Sequence, residues 1–317
     1  AFDGEVKPGE CVRIFTGPPL PPGTDTLLIQ EDTDVSGTTV VTTEALKTGA
    51  YVRRAGLDFR AGETGLQPGR DIGPRDLGLL AAMNVPWAGV RRRPRIALLS
   101  TGDELVRPGE ALGPNQIVSS NAISLAALVR RAGAEPVDIG IAEDRPDALA
   151  EAAARAMGCD MLVTLGGASV GDHDLVQAAL ADWSADLAFW KVAIKPGKPL
   201  MVATRGKTVV IGLPGNPVSS FVTAFLFALP LVRKAMGEVD PLPRHHIVAA
   251  AEPLPATGDR REFLRGVSDG QSVRLAASQD SSALMALAQA NCLIDRPAGS
   301  SEVSVGDPVL VYNLQNG

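Results

Sequence analysis

The chain is poor in cysteine and in aromatic residues. Its three cysteines, Cys11, Cys159 and Cys292, lie far apart and form no Cys-x-x-Cys pair. That excludes a disulfide framework and a zinc knuckle, and it fits a reducing, cytoplasmic location. Aromatic residues make up 4% of the chain, too few for the stacking platforms that hold single-stranded bases. No apolar run reaches the roughly 18 residues of a membrane-spanning helix. The nearest, residues 218–232, is interrupted by Pro230 and reads as a buried helix. Positive charge is also in deficit. With 30 Lys and Arg against 36 Asp and Glu, the net charge is −6, which argues against a general nucleic-acid binder. Neither nucleic acid nor a membrane is expected as a partner.

What the chain does have is glycine and proline, 33 and 24 residues in 317. With 45% hydrophobic and 21% charged residues, it reads as a globular, turn-rich protein with small-residue packing. This length predicts about two domains. Residues 1–52 read as a small β unit, incomplete at its N-terminus, with strand-like runs at 12–15 and 26–29 between Gly/Pro clusters. Residues 53–93 read as a mixed linker segment with a short helix over 76–83. From 94 to 240 the pattern changes to strands alternating with helices. Strands are expected at 95–100, 136–141, 161–165, 189–194 and 208–211. Helices are expected at 121–132, 146–157, 174–181 and 217–236. Strands apolar on both faces imply a mostly parallel sheet with helices on both sides, a three-layer α/β/α domain. Residues 241–317 return to strands, at 247–251, 262–267, 272–275 and 308–311, and read as a C-terminal β domain.

In an open parallel sheet, ligands bind outside the carboxyl ends of the strands. Four strand ends here carry unusual loops, at residues 100–104, 140–144, 166–174 and 212–220. Their glycines let backbone N–H groups approach a phosphate, and Pro217 suits the first position of a helix whose free N–H groups attract an anion. Four such loops on one sheet edge point to a phosphate-containing ligand. Between the last two lie Lys191, Lys195 and Lys198. Lys191 and Lys195 share a face by alternation if the strand continues that far. Lysines suit anionic oxygens, and the carboxylates Glu104, Asp144, Asp172 and Asp174 are candidate ligands for a divalent cation or activators of water. His173, between two aspartates, reads either as a ligand or as a surface hydrogen-bonding group.

Residues 95–105 (RIALLSTGDEL), 166–174 (GGASVGDHD), 195–199 (KPGKP) and 212–219 (GLPGNPVS) resemble signatures of the molybdopterin molybdenumtransferase, or MoeA, family, which includes the gephyrin E domain. Residues 12–21 (VRIFTGPPLP), 52–58 (VRRAGLD), 260–265 (RREFLR) and 281–284 (SSAL) extend the resemblance over the whole chain in order. Leu57 stands where the family usually has Glu. The resemblance implies insertion of molybdate into adenylylated molybdopterin, with Mg²⁺-dependent cleavage of the pyrophosphate link and release of AMP and molybdenum cofactor. It further implies a homodimer, with a site between the α/β domain of one subunit and the β domain of the other, and a molybdopterin adenylyltransferase as the upstream enzyme.

Carried over by motif, Glu104, Asp144 and Asp174 are the catalytic and metal-holding acids. Thr101, Gly102, Gly166, Gly167, Ser169, Gly171, Lys191, Lys195, Gly215 and Asn216 form the pterin-phosphate site. Lys198, Ser219, Arg260 and Ser281 hold molybdate. The resemblance also implies an upstream helical region, which these 317 residues are expected to lack. Residues 1–4 look like the family's Met-Asp-Gly-Tyr loop, but they lie too close to Arg13 for Asp3 to inherit that loop's role. Two other readings share part of these features: an adenylyltransferase for molybdopterin, which resembles the α/β domain alone, and a non-enzymatic scaffold of the gephyrin kind.

Overall fold

A computed structural model describes residues 2–166 and 185–314. Gly167, Ser169, Gly171, Asp172, His173, Asp174 and the helix expected over 174–181 lie outside the described residues. The chain divides into two compact units, one holding the residues up to Gln67 with Gly78–Leu80, the other Pro68–Leu77 and everything from Ala81 onward.

In the first unit, β1 (Thr33–Ser36) and β2 (Thr39–Thr42) form an antiparallel hairpin, pairing Thr33 with Thr42 and Ser36 with Thr39. Gly37, at φ +62°, supplies the left-handed conformation that a two-residue hairpin turn needs. The strand-like runs at 12–15 and 26–29 are not strands. Four prolines between residues 18 and 22 remove the N–H donors that a ladder requires. The helix expected over 76–83 is α1 (Pro74–Ala82). It starts where Asp76 reaches back to accept the Gly73 N–H at 2.9 Å, half of a capping box.

The second unit opens with a six-stranded sheet in the order β6-β3-β7-β11-β10-β8. The strands β3 (Arg95–Thr101), β6 (Glu135–Ala142), β7 (Met161–Leu165) and β11 (Thr208–Leu213) run parallel. Strand β10 (Met201–Arg205) runs antiparallel to β11 on one side and to the edge strand β8 (Asp186–Trp190) on the other. A short parallel pair, β4 (Leu105–Val106) and β5 (Ile117–Val118), follows β3. Alternate residues of β3 sort onto opposite faces. Ile96 and Leu98 pack with α2 (Asn121–Arg131) and the helix α4 (Pro217–Met236), while Ala97 and Leu99 pack with α3 (Pro146–Arg155). This is the expected three-layer arrangement.

By length and mean hydropathy α4 is long and apolar enough to cross a membrane. Here Val218, Val222, Phe225, Leu229 and Val232 are instead buried against the sheet. Residues Ala224–Ala228 loosen into a π turn just ahead of Pro230, whose missing N–H cannot complete an α-helical ladder.

The second sheet of this unit runs β14-β12-β16-β15-β13-β9. It comprises β12 (His245–Ala250), β13 (Arg261–Ser268), β14 (Ser272–Leu275), β15 (Cys292–Arg296) and β16 (Pro308–Asn313). Because β13 also pairs with β14, these five strands close into a ring around Val248, Ala250, Val273, Ile294 and Val311. Closure removes most of the open edge. The remaining edge of β13 is taken by β9 (Ile194–Lys195), a segment of the α/β half of the chain. Helix α5 (Leu284–Gln289) lies between β14 and β15.

Phe225 is 1% exposed and sits in the π turn between sheet and helix. Phe225→Ala is expected to cost about 3–5 kcal/mol, the range for a buried aromatic truncated to a cavity, read as a shift of the denaturant midpoint at unchanged slope. A shift equivalent to under about 1 kcal/mol, like that of a surface change, would show that the turn is not part of the core.

Candidate active site

The carboxyl ends of the four parallel strands converge. The Gly166 N–H donates to the Leu213 carbonyl and the Gly102 N–H to the Ala142 carbonyl, each at 3.2 Å. Gly166 has φ +106°, and a Cβ there would stand 2.7 Å from the Thr101 carbonyl oxygen. Gly215 faces Gly166 so closely that its own Cβ would be 3.8 Å from the Gly166 Cα. At Gly166 only a glycine fits, and the N–H groups of Gly102 and Gly166 are spent on tying neighbouring loops together. Thr101 Oγ1 is buried there without a partner among the described residues. Asn121, at the start of α2, fixes the loop after β11 by donating from Nδ2 to the Gly215 carbonyl at 2.8 Å. Thr101, Gly102, Gly166, Gly215 and Asn216 thus belong to one edge.

The acids sit beside it. Asp103 accepts the Asp144 N–H at 3.0 Å, drawing the loop after β6 toward that after β3. Partial burial, then the charges of Asp103 and Glu104, push the Asp144 carboxyl above its usual range. Asp103 is a member of this cluster that motif reading passed over, since only the hydrogen bond across two loops marks it. Among the described residues no group of three or more His, Cys, Asp or Glu is close enough to hold a metal. Of the three acids assigned to a metal, Glu104 and Asp144 are described, and Asp174 lies outside. Hard carboxylate oxygens that repel one another suit a divalent cation such as Mg²⁺. Cys292 is buried and its thiol is pushed up to about 11 by burial, so it remains an apolar core residue.

The strand before the lysines ends earlier than expected. Lys191 has φ +75°, a conformation that ends the regular strand at Trp190, although the Lys191 and Val192 N–H groups still donate to the Leu200 and Lys198 carbonyls. Its ammonium lies 4.1 Å from the centre of the Trp190 ring. Lys191 and Lys195 therefore do not share a strand face by alternation. Lys195 instead belongs to β9, and the parallel pairing of Ile194 with Arg261 and of Lys195 with Glu262 sets its place. Lys195 Nζ is 3.0 Å from Glu262 Oε1. Gly197, at φ +104°, lets the next turn press on Thr223 of α4, where a Cβ would collide with the Thr223 methyl. The result is a cleft of about 450 Å³ lined by Lys191, Val192, Ala193, Lys198, Asp259 and Arg260. Arg260 lines it together with Lys191 and Lys198 of the same chain.

The remaining residues meet at the start of α4. Asn216 does not cap the helix with its side chain. Its Nδ2 donates to Ser281 Oγ at 3.1 Å, and the Val218 N–H donates to the Ser281 carbonyl at 3.1 Å. Ser219, in the first turn, is 5% exposed. The structure thus brings Ser281 to Asn216 and, separately, Lys198 to Arg260. Glu262 and Asp259 are further members. No sequence spacing marks them, because their partners are fixed by the register of β9 on β13.

Three family models match the chain. The MoeA N-terminal region (domain I and II) matches residues 1–84, the probable molybdopterin binding domain residues 97–234, and the MoeA C-terminal region (domain IV) residues 248–314. A molybdopterin molybdenumtransferase of Nostoc sp. is 38% identical, over 98% of this chain and 73% of its own. Molybdopterin molybdenumtransferase 2 of Mycobacterium tuberculosis is 36% identical, over 98% of this chain and 78% of its own. The crystal structure of a molybdopterin biosynthesis MoeA protein from Pyrococcus horikosii superposes with a TM-score of 0.82 at 26% identity, covering 98% of this chain and 77% of that one.

A raised carboxyl pKa means that the folded chain holds the Asp144 proton more tightly than the unfolded chain does. The stability this lends is complete below the unfolded value, about 4, and is lost as pH rises through the folded value. At neutral pH, without divalent cation, ionised Asp144 therefore works against folding. Asp144→Asn is expected to raise the melting temperature at pH 7 in a chelating buffer, and to leave it unchanged near pH 3. A lower melting temperature for the variant at pH 7 would contradict the repulsion.

Proposed function

The chain belongs to the molybdopterin molybdenumtransferase family, and from that premise we propose how its own residues perform a molybdenumtransferase-type step of molybdenum cofactor biosynthesis. The observation that carries the reading is a cationic cleft and a glycine-lined sheet edge formed by the same chain. The substrates are adenylylated molybdopterin and molybdate, and the products are AMP and molybdenum cofactor.

Molybdate is a tetrahedral dianion. Lys198 and Arg260 supply charge-assisted donors to it in the cleft, and Ser219 and Ser281 supply hydroxyls from the start of α4 and the loop before α5. Lys191 and Lys195 hold the pterin phosphate. Glu262 keeps the Lys195 ammonium at the edge of β13 until phosphate oxygens compete for it. Thr101, Gly102, Gly166, Gly215 and Asn216 line the place of the pyrophosphate, and Gly167, Ser169 and Gly171, outside the described residues, are assigned to it by motif. Glu104, Asp144 and Asp174 would hold Mg²⁺, which would supply positive charge to the pyrophosphate oxygens. The acids also orient and deprotonate water at the sheet edge.

The division into 1–52, 53–93, 94–240 and 241–317, the homodimer, a cytoplasmic location and an upstream molybdopterin adenylyltransferase belong to this reading.

The test is molybdate-dependent release of AMP from adenylylated molybdopterin by the purified chain. Its absence at saturating Mg²⁺ would count against the reading. Arg260→Ala is expected to raise the molybdate concentration for half-maximal rate roughly tenfold to a hundredfold, the worth of a hydrogen bond to a charged group. An unchanged molybdate dependence would remove Arg260 from the oxyanion site. Asp174→Asn is expected to lower turnover on the order of a hundredfold with little change in substrate binding, as for loss of a general base. Unchanged AMP release in that variant would remove Asp174 from the chemistry.

A further inference from the structure

Arg265 is a cation that the reaction above does not use. It lies in the middle of β13 opposite Leu293 and is 1% exposed. Among the described residues its guanidinium makes no ion pair within 4 Å. Nη2 instead donates to two backbone carbonyls of one loop, Ser278 at 3.1 Å and Asp280 at 3.0 Å. Nε has no partner among the described residues. Burial pulls the guanidinium pKa down, partly offset by the charge of Asp280. Burying a cation that meets only carbonyls is costly, and an apolar side chain would fill the same space more cheaply. The arrangement calls for a reason other than core packing.

The loop that Arg265 grips is the one that carries Ser281. A second clip acts from the same residue's backbone. Gln279 accepts the Arg265 N–H at 2.9 Å and donates from Nε2 to the Arg265 carbonyl at 2.8 Å. Asp280 then accepts both the N–H of Ser282, at 2.8 Å, and its hydroxyl, at 2.6 Å. Held at 278, 279, 280 and 282, the loop presents Ser281 to the other half of the chain. There its carbonyl takes the Val218 N–H and its hydroxyl takes the Asn216 amide. Helix α5, which begins three residues later, packs on the same start of α4, with Leu287 in one buried cluster with Val218 and Val222, so the clamp acts on the residues just ahead of that contact.

We propose that Arg265, with Gln279, is a positioning residue that clamps the 278–282 loop so that Ser281 stays docked on Asn216 and Val218 at the molybdate site. The molybdate part of this assignment rests on the function proposed above, whereas the clamp itself does not. Arg265 touches no substrate. It acts by sparing Ser281 the ordering cost that a free loop would pay on binding the oxyanion.

Two measurements on the full chain separate these layers. The first is hydrogen exchange in the peptide carrying Val218, with the β12 and β16 peptides as internal controls. In Arg265→Met, protection at Val218 is expected to fall on the order of tenfold, the scale for losing hydrogen bonds to a charged donor, while the controls hold. Gln279→Ala, at a half-buried position, serves if Arg265→Met does not fold, and should show the same loss more weakly. Unchanged Val218 protection in a folded variant overturns the clamp.

The second is the molybdate dependence of AMP release. The half-saturating molybdate concentration is expected to rise on the order of tenfold with turnover within about threefold. Adding Ser281→Ala to Arg265→Met should then cost little more, because both act through one hydroxyl. Fully additive losses overturn the positioning role. Arg265→Lys, which keeps one donor, is expected to restore part of the affinity. If the unaltered chain releases no AMP with molybdate but Arg265→Met still loses Val218 protection, the clamp stands and the proposed reaction falls.

Discussion

Two residues carry the joint on which this site depends. Ile194 and Lys195 leave the neighbourhood of the α/β sheet and become the edge strand of the C-terminal sheet, pairing in parallel with Arg261 and Glu262. The Arg261 N–H also donates to the Ala193 carbonyl at 3.0 Å. Backbone hydrogen bonds of this kind set register to a single residue, because a slip by one would turn every side chain to the opposite face. Lys195 is therefore delivered to Glu262, and Arg260, one residue before the strand, is delivered to the cleft of Lys191 and Lys198. On the other flank the same strand's Arg261 is anchored through Nε to Asp295 at 2.7 Å. A buried carboxylate on β15 thus steadies the strand that lines the cleft.

Much of the site is held at a cost to stability. Lys191 occupies a left-handed conformation that a lysine adopts only under constraint. Three carboxylates at the ends of β3 and β6 push against one another. Thr101 Oγ1 and Arg265 Nε are buried without partners among the described residues. Such groups concentrate where a chain binds anions and cations rather than where it packs. The compensating stability lies in the interior of the α/β sheet, where Leu98, Leu162, Ile211 and Val222 are almost fully buried, and in the closed ring of the C-terminal sheet.

The α/β half was legible because its physics is local and periodic. Strands 161–165 and 208–211 are short apolar runs ended by glycine, and helices α2 and α3 follow turn signals and end near Gly133 and Gly158, both at positive φ. The N-terminal runs misled because apolar alternation is only half of a strand, and prolines removed the other half. Strand β15 went unread because Asp295 and Arg296 look like surface residues. They are buried because Arg261 and the carbonyls of Pro255 and Ser301 pair with them, partners that lie up to 41 residues away.

The sequence by itself determined the order of the β unit, α/β domain and β domain, the glycine loops at the strand ends and the types of residue that a pterin phosphate and an oxyanion require. Those follow from propensities and spacings that act within a few residues of chain. Only the tertiary structure decided which of those residues meet: that Arg260 faces Lys198 in one chain, that Lys195 is paired with Glu262 rather than aligned with Lys191, and that Ser281 is brought to Asn216 by a buried arginine. Each of these depends on a hydrogen-bond register between segments 65 to 67 residues apart or on a side chain reaching across two strands. Nothing local in the sequence encodes that register until both sheets have formed.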